Sequence, residues 1–146
     1  MLLVNLRYLV VVILFFILSG CSGAYSTHHG DGGSGDTEVY PISMDDALLV
    51  MQSAMNKEFA ADRIEDIFTP HRGYQAKLRF LIDIDVISVY AVAEQGRGPE
   101  GKNIDGFSFD VHRSGTYPLG GIPKSKLVLK HVVEGAARIA EALPKI

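Results

Sequence analysis

Residues 74–94 read YQAKLRFLIDIDVISVYAVAE, and the way this stretch divides decides the fold. From Tyr74 the apolar residues take the even positions, Tyr74, Ala76, Leu78, Phe80, Ile82 and Ile84, against Gln75, Lys77, Arg79, Leu81, Asp83 and Asp85. A period of two sends successive side chains to opposite faces of a strand, so the pattern predicts a half-buried strand with one wet face. One strand running through Glu94 would span about 70 Å at ~3.3 Å per residue, wider than a domain of this size. The chain must therefore turn or bulge near Asp83 to Val86, where the apolar set moves to odd positions, Ile87, Val89, Ala91 and Ala93. Neither Gly nor Asn stands there, so the turn chemistry is poor and a bulge is the alternative.

Downstream, residues 95–103 (QGRGPEGKN) are a loop by composition. A second alternating strand follows, with Phe107, Phe109 and Val111 facing in and Ser108, Asp110 and His112 facing out, so the two strands read as a hairpin. Residues 114–123 (SGTYPLGGIP) are rich in turn formers and are expected to be a loop. The last element is a helix from about Lys124 to Leu143, with Val128, Leu129, Val132, Ala136, Ile139, Ala140 and Leu143 at helical spacing and Pro144 closing it.

Upstream, residues 63–69 (RIEDIFT) fit a helix or a strand, and the flanking Pro70 and Gly73 favour a short strand entering a turn. Before it, Ser43 is suited to cap a helix that has Asp45 and Asp46 in its first turn, where negative charge meets the positive end of the helix dipole. Ala47, Leu48, Met51, Ala54 and Met55 share one face, so a helix is expected from Met44 to about Lys57. Helix, three to four antiparallel strands and helix make an α+β two-layer sandwich over residues 43–146, with enough core to fold alone.

The N-terminus is of another kind. Arg7 precedes an uninterrupted apolar run, Tyr8 to Leu18 (YLVVVILFFIL), and Ser19 and Gly20 precede Cys21, which is the only cysteine in the chain. A charged start, an apolar centre and a small-residue end make a secretory signal over residues 1–20. Crossing a bilayer takes about 20 apolar residues, and the uncharged run is roughly half of that. Leu18-Ser19-Gly20-Cys21 resembles the lipobox of bacterial lipoproteins. That resemblance implies that the Cys21 thiol is diacylated, that cleavage before it makes Cys21 the mature N-terminus, and that the new amine is acylated in turn. A lone cysteine forms no internal disulfide, so acylation gives it a use. In Gram-negative members of this class an aspartate after the cysteine marks inner-membrane retention. Ser22 here therefore points to the periplasmic face of the outer membrane.

Without residues 1–20, whose one charged side chain is Arg7, the Lys and Arg total falls from 14 to 13 against 17 Asp and Glu, a formal charge of −4. A mildly acidic domain argues against nucleic acid as a partner, because phosphate neutralisation takes clustered basic residues. Residues 21–42 are expected to hold the lipidated Cys21 and a flexible Gly/Ser-rich tether. As a coil its r.m.s. span is roughly 25 Å, and its full reach is about 70 Å. His28, His29 and Asp31 have metal-ligand chemistry, but a Gly-rich coil holds no fixed geometry or supporting shell for an ion, so no metal is assigned.

Gly96, Gly98 and Gly101 satisfy G-x-G-x-x-G, yet Pro99 interrupts the motif and a strand follows where a nucleotide site needs a helix. No nucleotide and no other cofactor is therefore expected. Gly120 and Gly121 ahead of Lys124 and Lys126 lack phosphate-loop spacing and suggest at most an anion held at a helix start. Asp110, His112 and Ser114 lack a nucleophile elbow, and Asp83 with Asp85 reads as a solvated turn, so no catalytic residue is assigned. The expectation is a lipid-anchored envelope protein that binds a protein partner without catalysis. A carrier or sensor of a small lipid, glycan or anion is the alternative. Arg97, Lys102, Arg113 and Tyr117, in two loops, are the candidate interaction residues, since Arg and Tyr are favoured at binding hot spots.

Overall fold

The computed structural model describes residues 25–28, 38–97, 102–116 and 118–143, and the side chains of all of these except 25–28, 97, 118 and 119. The signal segment, Cys21, His29, Asp31, the loop residues 98–101 and Tyr117 lie outside the described residues. Among the described residues no helix is long and apolar enough to cross a membrane.

Strand β1 (Tyr25–His28) is followed by helix α1 (Met44–Glu58), a single 3₁₀ turn (Ala61–Arg63), strands β2 (Ile64–Ile67), β3 (Gly73–Phe80), β4 (Asp83–Arg97) and β5 (Asn103–Gly115), and helix α2 (Pro118–Ala142). The strands form one antiparallel sheet in the order β1-β5-β4-β3-β2. Both helices lie on one face of it, which gives the expected α+β two-layer sandwich, with five strands where three to four were expected because β1 joins the sheet ahead of α1.

Helix α1 begins where its cap predicts. The Asp46 amide donates to Ser43 Oγ at 3.1 Å, and the Ser43 amide reaches back to the Asp46 carboxylate at 3.4 Å. These reciprocal bonds satisfy two of the amides that a helix start leaves without partners. Ala47, Val50, Met51, Ala54 and Met55 of this helix meet Val128, Val132 and Ala136 of α2 and Ala76, Ile87, Val89, Ala91, Phe109 and Val111 of the sheet in one buried core. Gly135 of α2 lets the helices close up, because a Cβ there would run into the Val50 side chain.

The segment 63–69 resolves as the 3₁₀ turn and β2, a strand as the flanking turn formers favour. The division of 74–94 is a tight hairpin: Phe80 pairs with Asp83, and Leu81 and Ile82 alone form the loop. The turn falls two residues ahead of the expected site. A two-residue loop sets even positions of β3 opposite odd positions of β4, Tyr74 with Val89 and Ala76 with Ile87, which accounts for the change of phase.

Two boundaries differ from expectation. Helix α2 starts at Pro118, so Gly120, Gly121 and Pro123 belong to the helix. Pro118 suits the first position, where the amide has no intrahelical acceptor, whereas Pro123 lies inside the helix, and Ser125 Oγ donates to the Ile122 carbonyl at 2.8 Å. The supposed tether also contributes structure. Tyr25–His28 pairs along β5, Tyr25 with Arg113 and His28 with Asp110. Tyr40 exchanges two backbone hydrogen bonds with Phe107, each 3.0 Å. Tyr40 and Ile42 are buried in the core, and Val39 is buried as well. The reason is an open edge: the outer side of β5 offers unpaired backbone groups, which Tyr25–His28 and Tyr40 satisfy through their own backbone.

Tyr40 packs its ring 6.0 Å from that of Phe109. Burial, and then the neighbouring Glu38 carboxylate, push its phenol far above the ordinary tyrosine value of 10.0. Burial also raises Tyr74, helped by Asp66 and opposed by Arg72. A raised folded-state pKa stabilises below the unfolded value and loses that contribution as the pH climbs beyond it. Stability should therefore hold up to about pH 10 and fall above it, and Tyr40→Phe should remove most of the fall, leaving the part due to Tyr74. Urea midpoints measured on either side of pH 10.0 check this; an unchanged slope in Tyr40→Phe would contradict it.

Candidate functional site at the hairpin end of the sheet

The alternation that buries Ile87 and Val89 of β4 also turns Asp85 inward, and the alternation that buries Phe109 and Val111 of β5 turns Arg113 inward. Both side chains are buried, Asp85 completely and Arg113 with 4% exposed. Arg113 Nε donates to Asp85 Oδ2 and Arg113 Nη2 to Asp85 Oδ1, each at 3.0 Å, the fork-on-carboxylate geometry that holds a guanidinium most firmly. Arg113 Nη2 also donates to the Gly115 carbonyl at 3.3 Å. A charge taken from water is tolerated only when paired and hydrogen-bonded, and here both conditions hold.

The surrounding backbone is shaped to this pair. Gly115 has φ 150°, and a Cβ on it would meet the Asp85 carboxylate. A Cβ on Gly121 of α2 would meet both Asp85 and Arg113, so the first turns of α2 lie directly over the ion pair. Just beyond, Thr116 Oγ1 donates to Asp83 at 2.8 Å and the Thr116 amide to the Ile84 carbonyl at 3.3 Å, tying the start of β4 to the β5–α2 connection.

From this braced base the β3–β4 hairpin projects an apolar tip. Phe80 is 52% exposed, Leu81 90%, Ile82 94% and Ile84 44%. Leu81 has φ 55°, a left-handed conformation that suits Gly or Asn and costs a branched side chain about 1 kcal/mol or more. A large apolar residue thus sits where both solvent and backbone geometry disfavour it.

Several sequence-based expectations are corrected here. Arg113 is no surface loop residue but half of a buried ion pair, and Asp85 is no solvated turn residue. Lys102 is exposed, as a loop residue should be, and Arg97 pairs with Asn103 at the opposite end of β5. Of the described candidates, Arg97 and Lys102 lie about 35 Å from Arg113 along that strand and share no surface with it. Ser108 is buried, and its Oγ has no hydrogen-bond partner among the described residues. Lys124 does not wait at a helix start for an anion: its Nζ donates to the Glu58 carbonyl at 2.8 Å and lies 3.3 Å from the Glu58 carboxylate, closing the end of α1 against α2. His112 is exposed with its ring edge-on to Tyr90 at 5.6 Å, and among the described residues it makes no hydrogen bond to Ser114. No group of three metal-ligating side chains occurs among the described residues.

The residues that sequence reasoning missed had a signal. Extending the inward sets Ile87, Val89 and Phe109, Val111 by one step each places Asp85 and Arg113 inward with opposite charges. The exposed tip had none, since alternation names a face without saying whether anything covers it. No family model, no curated protein and no solved structure matches the chain.

Removing one partner of the pair leaves the other buried and uncompensated. Arg113→Met or Asp85→Leu alone should cost about 3–5 kcal/mol, whereas the double replacement should recover most of the loss. A double-mutant cycle on unfolding midpoints checks this; additive losses would contradict a direct coupling.

Proposed function

We propose that this chain is a lipid-anchored protein of the bacterial cell envelope that works by contact with a protein partner and carries out no catalysis. The observation that carries the reading is Leu18-Ser19-Gly20-Cys21 at the end of the Tyr8–Leu18 apolar run, with Cys21 the only thiol in the chain. Two or three acyl chains hold a protein firmly where one holds it marginally, because each buried CH₂ contributes ~0.8 kcal/mol. Ser22 favours the periplasmic face of the outer membrane in a cell with two membranes.

The end of the sheet away from the hairpin tip supports the contact reading. Phe68, between β2 and β3, is 66% exposed with the Arg72 guanidinium 6.0 Å from its ring centre. Arg97, at the end of β4, and Lys102, just before β5, lie toward the same end. Aromatic and arginine side chains are both enriched at protein interfaces.

Cys21→Ser should abolish labelling by palmitate and leave an uncleaved precursor held by its signal segment. Metabolic labelling and gel mobility check this. Continued cleavage after Gly20 with palmitate incorporation would refute the anchor.

A further inference from the structure

The apolar hairpin tip and the N-terminal end of β1 fall toward the same end of the domain. Strand β1 runs antiparallel to β5, so going backward from His28, opposite Asp110, to Tyr25, opposite Arg113, moves toward Gly115 and the hairpin. Arg113 is level with Ile87, so Tyr25 enters the sheet five to six residue positions short of Leu81 and Ile82, about 17–20 Å along the strand direction. Cys21 is four residues before Tyr25 and can lie no more than about 14 Å from it. With β1 seated on β5, Tyr25 is the end of that strand nearer the tip, and the thiol lies only four residues before it.

We infer that the apex of the hairpin, Leu81-Ile82, enters the same bilayer that holds the acylated Cys21, so that the domain stands on the membrane by two contacts in a fixed orientation. This rests on the anchoring reading above. The residue chemistry selects lipid over a protein groove. Leu81 and Ile82, the most exposed side chains of the tip, are aliphatic, of a kind with hydrocarbon, whereas protein hot spots favour Trp, Tyr and Arg. No charge interrupts positions 80–82, and the nearest carboxylate toward the base, Asp83, is hydrogen-bonded to Thr116. A left-handed leucine at the apex breaks two local rules at once, a pattern that marks a functional position. An acyl anchor gains most from a second, weaker contact held beside it, because the anchor supplies a high local concentration. The Phe68 and Arg97–Lys102 end then faces away from the membrane, toward a partner.

The chain contains no tryptophan, so Ile82→Trp introduces a single reporter at a position that is 94% exposed and carries no packing. Gln52→Trp, on the exposed side of α1, is the control. The mature protein bearing each change is reconstituted into vesicles of phosphatidylethanolamine and phosphatidylglycerol, with and without lipids brominated on the acyl chain. The inference predicts that emission from position 82 shifts to the blue and is quenched by brominated lipid, while position 52 shows neither effect. An acylated protein whose position 82 stays unshifted and unquenched overturns the inference and leaves the anchor standing. A mass spectrum showing unmodified Cys21 overturns the anchor and the inference with it. Shifted emission only in intact envelopes, without quenching in vesicles, would place the tip in a protein and overturn the inference as well.

Discussion

The buried pair of Asp85 and Arg113 is the constraint on which the rest of this structure depends. It lies where β4 begins, β5 ends and α2 starts, so one bidentate contact fixes three elements at once. A salt bridge in a core is not by itself a large source of stability, because desolvation offsets much of its attraction. Its effect is directional. Gly121 must lie flat on the pair, which sets where α2 crosses the sheet, and Gly115 must turn beside it, which sets how the chain leaves β5. A hydrophobic replacement would fill the volume without specifying either approach.

That bracing explains how a domain of this size presents a tip made of large apolar residues. The hairpin base is held by Thr116 on Asp83 and Ile84, and below it by the ion pair, so Leu81 and Ile82 project from a rigid support and do not fold back onto the core. At the far end the sheet behaves differently. Strands β4 and β5 run on beyond the end of β3, and Phe68 and Arg72 mark the outer corner of the shorter strands. The two ends thus differ in chemistry, aliphatic at one and cationic with an aromatic at the other.

The sequence made the two helices, the long central strands and the layer order legible, because each rests on a local period or a cap: Ser43 with Asp46, the even set from Tyr74, the odd set from Ile87. It made the turn legible only to within two residues, since Leu81 and Ile82 lack turn chemistry and the hairpin closes through strand pairing on either side. Strand β1 was hidden. Tyr-Ser-Thr-His, followed by a Gly-rich stretch, has no apolar alternation, and what makes it a strand is the open edge of β5 more than 80 residues away. The start of α2 was hidden for a related reason: Gly120, Gly121 and Pro123 look like loop formers until the buried ion pair beneath them demands a helix with no side chain on that face. Of the candidate interaction residues, Arg113 was misplaced because arginine is usually exposed, and only pairing its inward position with that of Asp85 would have corrected it.

On the proposed reading, β1, which begins four residues after Cys21, is held to the edge of β5 and so fixes which end of the domain meets the membrane. Native-state hydrogen exchange of the mature protein tests it most directly. The account predicts slow amide exchange across Tyr25–His28, comparable to that of β5 over 110–113, because a seated edge strand opens only with its partner. Exchange at the rate of an unstructured chain across Tyr25–His28, with residues 110–113 still protected, would show a free tether and contradict the fixed orientation.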